Sequence, residues 1–138
     1  GSGDMERRII ERASQLGISD KMLFTGFLRK HDIVKAYSMA SLYVMPSVSE
    51  PFGLTPLEAA INGTPVLISK QSGVSEVFKN CLRVDFWDID QMANKIIAVL
   101  RHNELQQSLT ENGYSEVSTM SWNDAARKCV QIYKSLLK

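Results

Sequence analysis

The sequence has 138 residues, 44% of them apolar and 22% charged, which is enough to bury one sizeable core and too apolar for a disordered tail. Sixteen Lys and Arg against fifteen Asp and Glu leave a net charge of +1, so no basic field points to nucleic acid or to a membrane surface. No apolar run reaches the roughly 18 residues of a membrane span, and the N-terminus lacks the plan of a signal peptide, so a cytoplasmic protein is expected. Cys81 and Cys129 have neither a Cys-x-x-Cys spacing nor a neighbouring His, which speaks against zinc or a redox pair; both are expected to be buried and reduced.

In chain order, Ile9, Ile10, Ala13 and Leu16 mark one face of a predicted helix over Asp4 to Leu16, with Gly17 as its left-handed stop. Met22 to Thr25 is a predicted strand ended by Gly26. A helix follows over His31 to Met39, with Ile33, Val34, Ala36 and Tyr37 on its apolar side, and then an apolar strand over Leu42 to Met45, closed by Pro46. Thr55 to Asn62 reads as a helix ended by Gly63, Pro65 to Ile68 as a strand, Gly73 to Lys79 as a short helix and Cys81 to Val84 as a strand. Only helices come after that: Ile89 to Arg101, Glu104 to about Val117 with a break at Gly113, and Trp122 to Leu137. Asp88 with Gln91, and Ser121 with Asp124, are spaced as helix caps. Asp88-Ile89-Asp90 is therefore read as a cap rather than as a metal motif.

Short, continuously apolar strands alternating with helices predict an α/β fold: a Rossmann-like open parallel sheet with helices on both faces and a helix-rich C-terminus. The chain opens on a helix where such a sheet starts with a strand, so the first strand or strands are expected to be missing. Gly1-Ser2-Gly3 reads either as an expression scar or as the turn after that strand.

The densest functional signal runs from Pro46 to Glu58, where a strand end leads through Glu50-Pro51-Phe52-Gly53-Leu54 into a helix. Ligands of open parallel sheets bind at such strand ends, and a helix N-terminus offers free N–H groups and a positive dipole end to phosphate. Gly53 allows close backbone approach. Read structurally, Thr55 as cap, Pro56 at the first helical position and Glu58 at the third form a capping box. Read chemically, Glu50 and Glu58 bring two carboxylates to one crevice, where they can accept hydrogen bonds from sugar or ribose hydroxyls.

These residues, Glu50-Pro-Phe-Gly-Leu-Thr-Pro-Leu-Glu58, resemble the glutamate-x7-glutamate signature of the group 1, family 4-like glycosyltransferases, which are retaining enzymes of the GT-B fold. Phe24-Thr-Gly-Phe-Leu28, Tyr43-Val-Met-Pro-Ser47, Gly63-Thr-Pro-Val66 and Ser72-Gly-Val-Ser-Glu76 resemble family segments in the same order. The resemblance implies that Glu58 binds the ribose of a nucleotide-sugar donor and that Glu50, the catalytic candidate, lies at the transferred sugar. It implies that Phe52, Gly53, Leu54 and Thr55 meet sugar hydroxyls and diphosphate, and that the turn Gly26-Phe27-Leu28 flanks the base. No metal and no cofactor are implied.

The function expected on this basis is that of the C-terminal, donor-binding domain of a two-domain hexosyltransferase, residues 1–138 being one unit of it. Its partners would be a UDP-, GDP- or ADP-sugar and a missing N-terminal domain that holds the acceptor, with no nucleic acid and no membrane span. The parent enzyme is free to sit peripherally at the inner face of a membrane, and the 138 residues alone are expected to be inactive. The family's basic Gly-Arg and Lys-Gly segment would lie upstream. Ser72 to Glu76 departs from the family's Gly-Gly-x-Pro-Glu pattern, so a plain helix start and a ligand loop stand level there. The alternatives are a non-catalytic, degenerate α/β module and a fragment of a GT-B sugar-nucleotide epimerase.

Overall fold

The computed structural model describes residues 3–137; Gly1 and Ser2, on which the scar-or-turn reading rests, lie outside the described residues. The chain divides into two compact units, one reaching to Lys35 and the other running from Ala36.

The first unit holds α1 (Glu6–Gln15) and a 3-10 turn (Ser19–Lys21). Helix α1 ends as its sequence predicts. Gly17 takes φ 66°, its N–H bonds to the Ser14 carbonyl and the Ile18 N–H bonds to that of Ala13, which closes the helix with a Schellman motif. Met22 to Thr25 is not a strand. Backbone in a strand needs a neighbour for its N–H and C=O groups, and the sheet contains no member from this stretch; Leu23 is left 86% exposed. Helix α2 (Lys30–Met39) carries the chain into the second unit.

There, β1 (Tyr43–Met45), β2 (Val66–Ser69) and β3 (Leu82–Val84) form a parallel sheet in that order, with Tyr43 opposite Val66 and Ile68 opposite both Met45 and Arg83. Helices α3 (Leu54–Ile61) and α4 (Val74–Val77) make the crossovers, and α5 (Ile89–Arg101), α6 (Asn103–Ser118) and α7 (Trp122–Leu136) complete the chain. All four residues of β2 are buried, and because successive side chains point to opposite faces, both faces are covered. On one face Val66 and Ile68 join Ala59 and Ala60 of α3, Val74, Phe78 and Cys81, with Val117 of α6 packed against them. Leu67 and Val84 are just as buried outside that cluster, on the face where α5 packs against β3 and buries Val99. Each such aliphatic side chain contributes roughly 1.5–3 kcal/mol. The observed architecture is the open parallel α/β sheet that the apolar runs predict.

Three further expectations are corrected. Helix α6 runs unbroken through Gly113, because that residue is a packing contact: a Cβ there would sit 3.3 Å from the Asn80 carbonyl and 3.5 Å from the Phe78 ring. Cys129 is exposed on α7, where all described side chains face solvent, whereas Cys81 is buried as expected. The third concerns the start of α3 and is described with the site. Glu116 of α6 was not anticipated at all. Its carboxylate accepts the N–H groups of Lys79 and Asn80 at 2.8 and 2.7 Å and the Asn80 side-chain amide at 2.8 Å. Burial alone would raise its pKa, but these donors outweigh burial and hold it below the usual range. Among the described residues no helix is long and apolar enough to cross a membrane.

Candidate functional site

The loop from Pro46 to Gly53 leaves the carboxyl end of β1 and enters α3. Gly53 is the N-cap residue, at φ 92° and ψ 88°, and no side chain caps the helix behind it. This corrects the capping box. With Leu54 as the first helical residue, Thr55 is the second, Pro56 the third and Glu58 the fifth, so Glu58 is a turn too far along to reach back to the cap. Proline is still tolerated, since the third N–H of a helix has no intrahelical partner. Left-handed backbone at Gly53 is the reason the helix starts early, and the same backbone forbids a side chain. A Cβ would lie 3.1 Å from both the Glu50 Cγ and the Met45 Cε.

The loop is held by a contact that sequence reasoning missed. Glu50 bridges to Ser72 in parallel, the Gly73 N–H donates to the Glu50 carbonyl at 2.9 Å, and the Val74 N–H donates to the Phe52 carbonyl at 2.7 Å. Gly73 approaches so closely that a Cβ would fall 2.1 Å from the Pro51 carbonyl oxygen. The first N–H groups of α4 therefore fix the α3 entry loop. The only sequence signal for this was a glycine ahead of an apolar helix, which is equally compatible with an ordinary turn.

Two tyrosines gather the polar side chains. The Tyr43 hydroxyl donates to Thr55 Oγ1 at 2.8 Å, and the Tyr37 hydroxyl donates to Glu58 Oε2 at 3.3 Å. Their rings meet edge to face at 5.7 Å. Burial raises the Tyr43 pKa, the bond to Thr55 opposes that rise, and the charges of Glu58 and then Glu50 add to it. Tyr43 thus stands within electrostatic reach of both carboxylates and remains a neutral donor. Tyr37 is pushed up to about 12, by burial first and by Glu58 next. Neither tyrosine was singled out from sequence: Tyr37 was counted on the apolar face of a helix and Tyr43 in an apolar strand.

Of the sequence-predicted site residues, Glu50 precedes α3, Thr55 lies in its first turn and Glu58 one turn along it, both carboxylates within electrostatic reach of Tyr43, with Glu50 half-buried and Glu58 exposed. Phe52 and Leu54 are exposed beside them, and Gly53 is buried. Gly26, Phe27 and Leu28 belong to the first unit, where Gly26 takes φ 62° and Phe27 is 90% exposed. Phe27 is thus no core residue of its own unit. Asp88 accepts the Gln91 N–H at 2.9 Å, as a cap should, and no group of three or more His, Cys, Asp or Glu among the described residues could hold a metal ion.

Comparison with known proteins bears on the family and the fold. The family profile described as glycosyl transferases group 1 matches residues 1–116. An uncharacterized glycosyltransferase of Methanocaldococcus jannaschii is 35% identical over 97% of this chain and 35% of its own length. The structure of sucrose-phosphate synthase from Thermosynechococcus elongatus superposes with a TM-score of 0.82 at 30% identity, covering 98% of this chain and 35% of that one. Anabaena HepE in complex with UDP and glucose shares the fold with a TM-score of 0.82 at 21% identity, over 96% of this chain and 37% of that one. The chain spans about a third of the length of the curated relatives it matches. A parallel α/β sheet, a carboxylate-flanked helix start and a family match over most of its length lead to one conclusion: the chain belongs to the group 1 glycosyltransferases, whose fold is GT-B.

Proposed function

We propose that this chain is the donor-binding, C-terminal part of a retaining, metal-independent glycosyltransferase. It binds a nucleotide diphosphate-sugar, and a second domain holds the acceptor to which a hexose passes with its configuration kept. The observation that carries this reading is the start of α3: a helix end that begins at a glycine, with no side-chain hydrogen bond to its first N–H groups and with two carboxylates in electrostatic reach of the Tyr43 beside it. The N–H groups of Leu54 and Thr55, with the dipole of α3 behind them, suit the diphosphate, whose charge grows as it leaves. Glu58, held by Tyr37, accepts from the ribose hydroxyls. Glu50 accepts from hydroxyls of the sugar and orients it, with the exposed Phe52 beside it. That a protein of the same fold was solved with UDP and glucose supports a nucleotide-sugar as the ligand class.

Ligand-observed NMR of the 138-residue chain against UDP, GDP, ADP and their sugar forms tests the reading. One nucleotide is expected to bind and to be lost in a folded Glu58→Ala variant. A nucleotide that binds the variant equally well overturns the assignment of Glu58, and silence of both this chain and a longer form containing it overturns the donor site. Sugar transfer by the 138 residues alone would refute the need for a second domain.

A further inference from the structure

Tyr37 of α2 and Tyr43 of β1 are half-buried against the core cluster, and each sends its hydroxyl to a side chain of α3. Their rings brace each other edge to face at 5.7 Å. Thr55 Oγ1 accepts the Tyr43 O–H at 2.8 Å and directs its own O–H at Met45 Sδ, 3.9 Å away. A hydroxyl carries one donor and two lone pairs, so the bond from Tyr43 fixes the oxygen and leaves the hydrogen on a thioether, which is a weak acceptor. A phosphate oxygen is a far stronger one. Glu58 Oε2 accepts the Tyr37 O–H at 3.3 Å, and since an ionised carboxylate has about four lone-pair sites, most of its accepting capacity stays open. Burial, the largest influence on both phenols, keeps them protonated at neutral pH, Tyr37 being pushed up to about 12, so both serve as donors.

We infer that Tyr43 and Tyr37 are positioning residues of the donor site, the first acting through Thr55 on the diphosphate and the second through Glu58 on the ribose. This rests on the donor-site reading above and adds to it the two residues that set its geometry. Tyr43 holds the Thr55 oxygen in place, and the Thr55 O–H, released from Met45, turns to a phosphate oxygen beside the N–H groups of Leu54 and Thr55. Tyr37 restricts the rotamers of an exposed glutamate, so that part of the entropy lost in ordering a long side chain is lost before the ligand arrives. Neither tyrosine needs to touch the ligand.

The test divides the ligand into its parts. Affinities of the 138-residue chain, or of a longer form containing it, are measured by NMR for whichever of UDP, GDP and ADP binds, for its 2′,3′-dideoxy form and for its nucleoside without phosphates. Tyr43→Phe, which keeps the ring, is expected to weaken the diphosphate and its dideoxy form about three- to tenfold and to leave the nucleoside unchanged. Tyr37→Phe is expected to weaken the diphosphate and the nucleoside by a similar factor and to leave the dideoxy form unchanged. Adding Tyr43→Phe to Thr55→Val should cost no further affinity, whereas Thr55→Ser, which keeps the hydroxyl, should keep the dependence on Tyr43. A Phe variant that binds all three probes like the parent overturns the role of that tyrosine. An equal loss on all three probes, which marks simple packing, does the same, as does a Tyr43→Phe loss that adds in full to that of Thr55→Val. In each of these cases the donor site itself stands. If neither the 138-residue chain nor the longer form binds any of the three nucleotides, the donor site falls and the positioning role falls with it.

Discussion

The helices of the second unit begin in two ways. Helices α5 and α7 begin under side chains: Asp88 accepts the Gln91 N–H at 2.9 Å, and Ser121 accepts those of Asn123 and Asp124 at 3.1 and 3.4 Å. Helix α3 begins at a glycine with no side chain hydrogen-bonded to its first N–H groups, and the hydroxyl in its first turn, that of Thr55, is occupied by Tyr43. A capped helix end is stabilised and chemically closed. An uncapped end, held in position from behind by Gly73 and Val74, keeps its N–H groups for another partner at a cost in local stability.

The largest effect that breaks this contrast comes from removing the hold. Gly73→Ala places a methyl group 2.1 Å from a backbone oxygen, so the Glu50 to Phe52 loop must move. A loss on the order of 2–4 kcal/mol is expected in urea unfolding, together with loss of nucleotide binding. An unchanged midpoint would mean that the two loops are not packed as described. Gly53→Ala comes next, at about 1–3 kcal/mol, since φ 92° is strained for any side chain.

Smaller effects sharpen the comparison. Asp88→Ala and Ser121→Ala should each cost about 1 kcal/mol as lost caps, whereas Glu58→Ala, which removes only a surface bond to Tyr37, should stay within about 0.5 kcal/mol. If Glu58→Ala cost as much as the two cap variants, Glu58 would be a capping residue after all. The mildest prediction concerns pH. Because the Glu116 pKa is lowered in the folded state, its contribution is fully present above the unfolded value of 4.5 and is lost as pH falls through the folded one. The urea midpoint of the parent chain should therefore fall more steeply below pH 4.5 than that of Glu116→Gln. Parallel curves would show that Glu116 does not bind its N–H donors as a carboxylate.

Much of the fold was legible because strands buried on both faces are written as continuous apolar runs: Val66 to Ile68 could hardly be anything else once Gly63 and Pro65 precede it. Met22 to Thr25 has a similar composition and failed, because composition cannot say whether a neighbouring strand exists. The two carboxylates of the candidate site were legible from their spacing on one strand-to-helix loop. Tyr37 and Tyr43 were not, since a phenol in an apolar stretch reads as packing until its hydroxyl is seen to meet Glu58 or Thr55.

Local sequence therefore determined what depends on near neighbours: the period of each helix, the Schellman stop at Gly17, the caps at Asp88 and Ser121, and the Glu50 to Glu58 spacing. Tertiary structure decided what depends on residues brought from afar. It placed Gly73 against Pro51, held the Lys79 and Asn80 N–H groups on Glu116, brought the Tyr37 and Tyr43 hydroxyls to Glu58 and Thr55, and moved the start of α3 to Leu54. The reason is common to all four. Each is a balance between a local preference and a contact made across the chain, and only the folded backbone sets the distance at which that contact is made.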